Sequence, residues 1–177
     1  MPESIPYGKQ YISKLDVDAV VEVLRSDWLT QRPVVPAFEK AVAKKCKAQF
    51  AVAVNSATSA LHIACLALGV GSGDTVWTSP NTFVASANCA RYCGAAVDFV
   101  DIDPGTWCLS VEKLEEKLQW CQKQNLPLPK VVIPVHLSGQ SCDMEPIATL
   151  GKRCGFRIIE DASHAVGASY RGEPVGN

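Results

Sequence analysis

The segment Asn55-Ser56-Ala57-Thr58-Ser59 combines small and hydroxyl-bearing residues at a predicted strand-to-helix turn. The first N–H groups of a helix have no intrahelical acceptor, and the helix dipole favours an anion beside them. A small residue such as Ala57 lets a phosphate approach the backbone, and the Thr58 or Ser59 hydroxyl adds a donor. The same pattern is also typical of simple N-capping by serine or threonine. It matches neither the glycine fingerprint of dinucleotide sites nor a Walker loop.

A second segment, Glu160-Asp161-Ala162-Ser163-His164, follows an apolar run that predicts a buried strand. A carboxylate at Asp161 needs a partner there, because burying an unpaired charge is costly. A protonated ring nitrogen of a cofactor would be such a partner. Backbone N–H groups or an arginine would serve equally well.

A third segment, Pro80-Asn81-Thr82-Phe83, places an aromatic side chain just beyond another predicted strand. A flat ligand would stack on the Phe83 ring at that position. An ordinary core phenylalanine is the alternative. Taken together, a phosphate anchor, a stacking ring and an aspartate would surround one flat, phosphorylated, pyridinium-bearing molecule. Pyridoxal 5′-phosphate (PLP) has that chemistry, and its electron sink requires a protonated ring nitrogen.

Hydrophobic periodicity predicts strands that alternate with helices. Patterns of period 3.6 predict helices at 15–26, 35–47, 60–68, 84–93, 111–124 and 145–154. Short β-branched runs predict strands at 51–54, 75–78, 96–102, 131–135 and 156–160. We therefore expect an α/β fold, with a mostly parallel sheet flanked by helices. Ligands bind beyond the carboxyl ends of such strands, where the three segments lie.

The composition excludes several classes of protein. Of 177 residues, 47% are apolar and 20% are charged, and the net charge of −1 gives no basic surplus for nucleic acid. No run of about 20 predominantly apolar residues predicts a membrane helix, and residues 1–10 lack the apolar centre of a signal peptide. We expect a cytoplasmic protein whose partners are neither nucleic acid nor membrane.

The eight cysteines and three histidines do not have the spacing of a zinc site. Cys89 and Cys93 are the closest cysteines, and no second close pair follows them. We expect no metal, and we expect most of the cysteines to be small buried hydrophobic residues.

Six stretches, in order along the chain, resemble the DegT/DnrJ/EryC1/StrS sugar aminotransferases, PLP-dependent enzymes of fold type I. They are 5–8 (IPYG), 26–31 (SDWLTQ), 55–62 (NSATSALH), 80–88 (PNTFVASAN), 134–140 (PVHLSGQ) and 160–168 (EDASHAVGA). Within the family, SDWLTQ and NSATSALH are most similar to the transaminases of pseudaminic acid biosynthesis. The resemblance implies a homodimeric enzyme that moves an amino group from glutamate to C4 of a UDP-linked 4-keto-6-deoxy-N-acetylhexosamine, for a bacterial surface sugar.

The resemblance also implies a role for individual residues. For the cofactor, Ala57 and Thr58 would bind the phosphate, Phe83 would stack on the ring, Asp161 would pair with the ring nitrogen, and His164 would lie near the 3-hydroxyl. The residues expected to line the nucleotide-sugar pocket are Tyr7, Asp27, Trp28, Leu29, Thr30 and Ser56. A helix-terminating loop that packs Trp28 on the core is the alternative for 27–30.

Residues 1–177 are expected to form the N-terminal portion of the PLP-binding large domain, without its remainder or the C-terminal small domain. Family members hold the cofactor on a Schiff-base lysine, which the resemblance places beyond Asn177. Lys130 precedes a predicted strand and so lies at the wrong end of the sheet. We therefore expect no catalytic residue in this chain and no activity from it alone. The predicted strand 51–54 is expected to lack its antiparallel neighbour.

Two other functions stay open at this point. A sugar dehydratase of the same family would carry histidine in place of the lysine. A non-catalytic fragment would use the same scaffold only to form dimers.

Overall fold

The structure, a computed structural model, describes residues 10–30 and 33–176. The helices are α1 (Lys14–Arg25), α2 (Val34–Cys46), α3 (Ala57–Ala67), α4 (Ala85–Tyr92), α5 (Val111–Lys123) and α6 (Met144–Cys154), with a 3₁₀ turn at Leu137–Gly139. The strands are β1 (Thr75–Thr78), β2 (Ala96–Phe99), β3 (Val131–Ile133), β4 (Arg157–Ile158), β5 (Ser169–Tyr170) and β6 (Glu173–Pro174).

The central sheet has four strands in the order β2-β1-β3-β4, and each neighbouring pair is parallel. The chain runs from β1 to β2 on one side and then returns to place β3 on the other side of β1. This reversal of strand order creates a crevice outside the carboxyl ends of β1 and β3. The predicted α/β fold with a parallel sheet flanked by helices is confirmed.

Alternating side chains of the central strands supply two hydrophobic cores. Val76, Val131 and Ile133 pack with α3 and α4 on one face of the sheet. Trp77 and Val132, one position along each strand, pack with α5 and α6 on the opposite face. The two faces follow from the period of two in a β-strand. Most of the cysteines are buried in these cores, and all eight are free thiols.

The first helix is stabilised by local interactions at its N-terminus. Ser13 and Asp16 make a capping box at the start of α1: the Ser13 N–H donates to the Asp16 carboxylate at 2.7 Å, and the Asp16 N–H donates to Ser13 Oγ. Neither α1 nor α2 contains a buried residue. Both helices are present as the sequence predicts, but within the described part of the chain their apolar faces do not pack against a hydrophobic core.

The predicted strand at 51–54 is wrong, because this stretch forms no ladder with any described strand. The Val52 residue is 78% exposed, and the Ala53 N–H donates to the Glu39 side chain at 2.9 Å instead of to a neighbouring strand. A β-strand exists only as part of a pair, so a β-branched run without a partner stays irregular.

Other boundaries differ modestly from the prediction. The run at 156–160 forms only the two residues of β4, followed by an isolated parallel bridge between Val135 and Asp161. The hairpin of β5 and β6 was not predicted. Its turn residues Arg171 and Gly172 both have positive φ, as a type I′ turn requires. Among residues 10–30 and 33–176, no helix combines the length and apolar character needed to cross a bilayer.

We expect Leu114→Ala in α5 to lower the free energy of unfolding by about 2–5 kcal/mol, since the side chain is fully buried and its loss leaves a cavity. The control is Leu66→Ala in α3, where the residue is 54% exposed and the change in helix propensity is the same. Urea unfolding followed by circular dichroism measures both. Equal losses for the two variants would contradict the assigned core.

Candidate functional site

A cavity lies at the carboxyl end of the sheet, at the reversal of strand order. Its walls come from the start of α3, the β1–α4 loop, the residues after β3 and the loop after β4. The lining residues are Ala57, Thr58, Leu61, Thr82, Phe83, Ala85, Val135, His136, Leu137, Asp161, Ser163 and His164. Its volume of about 140 Å³ is below the ~300–1,000 Å³ of a typical complete ligand site. The described residues thus form a partial, open pocket.

The N-terminus of α3 forms one wall of this cavity. Ser56 is the N-cap, and its Oγ accepts the Ser59 N–H at 3.2 Å. The cap explains why the helix begins at Ala57 instead of at the predicted residue 60. Within the described chain, the N–H groups of Ala57 and Thr58 have no hydrogen-bond acceptor. The predicted N-cap is therefore present, and it leaves two donors at the cavity for an anion.

Phe83 lies in the loop between β1 and α4 and is 70% exposed. The alternative of a core phenylalanine is therefore wrong. The residue borders the cavity, so it offers an aromatic surface to a bound ligand.

Asp161 follows β4 and carries a buried carboxylate, with the residue 6% exposed. Its Oδ2 accepts the Ser86 Oγ–H at 2.6 Å, while its Oδ1 accepts the Ser163 Oγ–H at 2.6 Å and the Ser163 N–H at 3.2 Å. In residues 10–30 and 33–176, no lysine, arginine or histidine forms an ion pair with it. A buried carboxylate without a cation is costly, so the cavity suits a ligand with a positively charged N–H.

His136 joins the ends of β3 and β4 next to Asp161. The residue is fully buried, and its Nδ1 accepts the Cys142 N–H at 3.0 Å. The ring proton is therefore on Nε2, which donates to Glu160 Oε2 at 3.0 Å. In the backbone, the His136 N–H donates to the Asp161 carbonyl at 3.1 Å. These contacts continue the β3–β4 pairing beyond the strands and hold Asp161 at the cavity.

Other predicted site residues differ in their relation to this cavity. His164 is exposed and lines it. Ser56 caps α3 beside it without forming a wall. Tyr7 lies outside the described residues. The segment 27–30 is exposed and does not line the cavity, and Trp28, at 61% exposure, does not pack on the core either.

No lysine in the described part of the chain lines the cavity. Lys130 lies at the opposite, amino end of the sheet, as predicted, where its Nζ donates to the Gly69 carbonyl at 2.6 Å and to the Asp74 carboxylate at 2.8 Å. The bond from Lys130 holds the pKa of the Asp74 carboxyl below its usual range. Among residues 10–30 and 33–176 there is also no cluster of side chains suited to a metal ion.

Sequence reasoning missed Ser86 as part of the site, and although the strand pattern places His136 beyond the carboxyl end of a strand, it gave that residue no role. Ser86 meets Asp161 across 75 positions of sequence, and His136 meets Glu160 across 24. Thr82, in the β1–α4 loop, and Ser86, in the first turn of α4, lie four positions apart, but this local spacing does not identify Asp161 as a partner.

Comparisons with known proteins identify what the chain is similar to. The model of the DegT/DnrJ/EryC1/StrS aminotransferase family matches residues 10–177. The GDP-perosamine synthase of Caulobacter vibrioides is 43% identical over 162 residues, covering 90% of this chain and 42% of that protein. The chain spans 42–43% of the length of the curated relatives it matches.

Solved structures agree in fold with this chain. Helicobacter pylori PseC, an aminotransferase involved in the biosynthesis of pseudoaminic acid, superposes with a TM-score of 0.88 at 30% identity, covering 98% of this chain and 45% of that one. Spr1654 of Streptococcus pneumoniae, in its PLP form, gives 0.86 at 30% identity, covering 98% and 46%. The predicted family is confirmed, and the family match together with a PLP-form neighbour supports PLP as the cofactor.

We expect His136 to hold its ring proton on Nε2, because Nδ1 accepts the Cys142 N–H. Long-range ¹H–¹⁵N spectra distinguish the two ring nitrogens by their shifts. His62, whose ring meets Tyr92 edge-on in a half-buried position, provides a comparison within the same spectrum. Detection of a proton on Nδ1 of His136 would contradict the assigned hydrogen bonds.

Proposed function

Because the chain belongs to the DegT/DnrJ/EryC1/StrS aminotransferase family, we propose that the protein carrying it transfers an amino group to a nucleotide-linked keto sugar with the help of PLP. The observation that carries this proposal is the buried Asp161 carboxylate, which has no cationic partner among the described residues and lies on a cavity that also offers free N–H groups and an exposed ring.

The cavity residues fit PLP group by group. The Ala57 and Thr58 N–H groups at the start of α3 would bind the phosphate, since the helix dipole adds to their attraction for an anion. Phe83 would stack on the pyridine ring. Asp161 would accept a hydrogen bond from the protonated ring nitrogen, and His164 would lie near the 3-hydroxyl.

When bound, PLP supplies an electron sink that stabilises negative charge at the carbon bearing the amino group. The chain's own residues would orient it and hold one proton in place. The Asp161 carboxylate favours the proton on the ring nitrogen, because a neighbouring anion stabilises the cationic form. Phe83 would hold the ring and the α3 N-terminus would hold the phosphate, so that together they would orient the cofactor.

We propose as the substrate a UDP-linked 4-keto-6-deoxy-N-acetylhexosamine, aminated at C4 with glutamate as donor. The SDWLTQ and NSATSALH stretches and the similarity to PseC support this choice. The similarity to a GDP-perosamine synthase favours a GDP-linked sugar as the competitor. Ser56, Tyr7 and the segment 27–30 stay the predicted sugar-pocket residues. The homodimer stays a prediction from the resemblance, and the cytoplasmic location stays a prediction from the composition.

We expect Asp161→Asn to weaken PLP binding roughly 10- to 100-fold, since a hydrogen bond to a charged group contributes ~1.5–3 kcal/mol. The matched control is Asp101→Asn, which changes an exposed aspartate outside the cavity walls. Titration of the PLP absorption spectrum gives both dissociation constants. Equal affinities of the two variants for PLP would contradict the role of Asp161.

We expect the full-length protein, supplied with PLP and glutamate, to aminate the UDP-linked 4-keto sugar faster than its GDP-linked counterpart. Mass spectrometry of the sugar product and the release of 2-oxoglutarate measure the reaction. Preference for the GDP-linked sugar would overturn the proposed nucleotide. Failure to aminate either sugar would count against the aminotransferase itself.

A further inference from the structure

Two hydroxyl groups, one buried and one half-buried, connect the loop that carries Phe83 to the Asp161 carboxylate. Ser86, in the first turn of α4, is fully buried, and its Oγ lies 2.6 Å from Asp161 Oδ2. The same Oγ lies 2.8 Å from the Thr82 Oγ1. Thr82 is the residue directly before Phe83. One serine side chain thus touches both the carboxylate and the segment that positions the aromatic ring.

The direction of these hydrogen bonds is fixed by the carboxylate. An ionised carboxylate only accepts, so the Ser86 hydroxyl must donate its single proton to Asp161. Ser86 then has only lone pairs to offer to Thr82, so the Thr82 hydroxyl donates to Ser86. The order Thr82 to Ser86 to Asp161 leaves no freedom for any of the three groups to rotate without breaking a bond.

The other contacts of Asp161 do not provide this connection. Ser163 bonds to the second carboxylate oxygen, but it lies only two positions along the same loop and moves with Asp161. Ser86 belongs to α4, which packs with α3 beneath the cavity. Through Ser86, the carboxylate is therefore fixed relative to both of the helices that border the proposed cofactor site.

We propose that Ser86, oriented by Thr82, is a positioning residue for the cofactor. It orients the Asp161 carboxylate towards the ring nitrogen, and through Thr82 it holds the Phe83 loop in position for stacking on the ring. This inference rests on the proposed function. Ser86 contacts the Asp161 carboxylate and Thr82 contacts Ser86, so neither residue touches the reacting atoms.

The test compares variants of the full-length protein for binding of two molecules: PLP, and an analogue in which a C–H group replaces the ring nitrogen. Ser86→Ala removes the donor, and Thr82→Val removes its orienting partner with little change of shape. The control is Ser79→Ala, because Ser79 is buried at the same end of the sheet and its hydroxyl has no hydrogen-bond partner in the described chain.

We expect Ser86→Ala to weaken PLP binding roughly 3- to 10-fold and Thr82→Val by less. Both losses are smaller than that for Asp161→Asn, because these residues act on the cofactor only through the Asp161 carboxylate. Binding of the analogue should change less than twofold, because Asp161 has no ring N–H to meet there. In an Asp161→Asn background, Ser86→Ala should have no further effect on PLP affinity, as expected for groups that act through one contact.

A purely structural role for Ser86 predicts a different pattern. Ser86→Ala would then weaken PLP and the analogue equally, or would match Ser79→Ala in both, and either result would overturn the proposal. Urea unfolding of each variant confirms that the comparison is made between folded proteins. If the wild-type protein bound neither molecule, the proposed function itself would be wrong. If the wild-type protein and the Ser86→Ala variant bound PLP with equal affinity, only the role of Ser86 would be rejected.

Discussion

Parallel pairing of β1 with both β2 and β3 is the constraint on which the rest of this structure depends. Because the strands run in the same direction, their carboxyl ends meet at one edge, and the reversal of strand order opens a crevice there. The two hydrophobic cores on opposite faces of the sheet hold α3, α4, α5 and α6 in place. The N-terminus of α3 and the loop before α4 consequently face the same cavity as the residue that follows β4.

Within that frame, the electrostatics of the site depend on Asp161. Burial removes water from its carboxylate, and the donors within the described chain are hydroxyl and amide groups, which are neutral. Such donors fix the direction of a carboxylate while leaving its charge uncompensated. That combination suits a ligand which brings its own cation. Since an α3 terminus that favours an anion lies in the same cavity, the pocket is polarised for a molecule with a phosphate and a protonated ring.

The cavity residues that were predicted from the sequence all lie at the ends of helices or strands, which local sequence determines. Ala57 and Thr58 begin a helix after a serine cap, and Phe83 lies two positions before the start of α4. Asp161 ends an apolar run. The roles of Ser86 and His136 were not predicted, because they follow from partners far along the chain that only folding brings within 3.0 Å. No local pattern distinguishes the Ser86 hydroxyl from that of any other serine in a helix.

The sequence by itself determined the helices, the alternation of helices with β-branched runs along the chain, and the chemistry at the strand ends. Helix caps, apolar periodicity and turn residues act over a few positions, so they can be read without the fold. The tertiary structure alone decided which runs became strands. Thr75–Thr78 pairs on both sides, whereas the run 51–54, which also contains β-branched residues, finds no neighbour among the described strands and stays irregular. It also decided how Asp161 is held, because a sheet ladder and a buried carboxylate are both completed by groups that only the fold brings together.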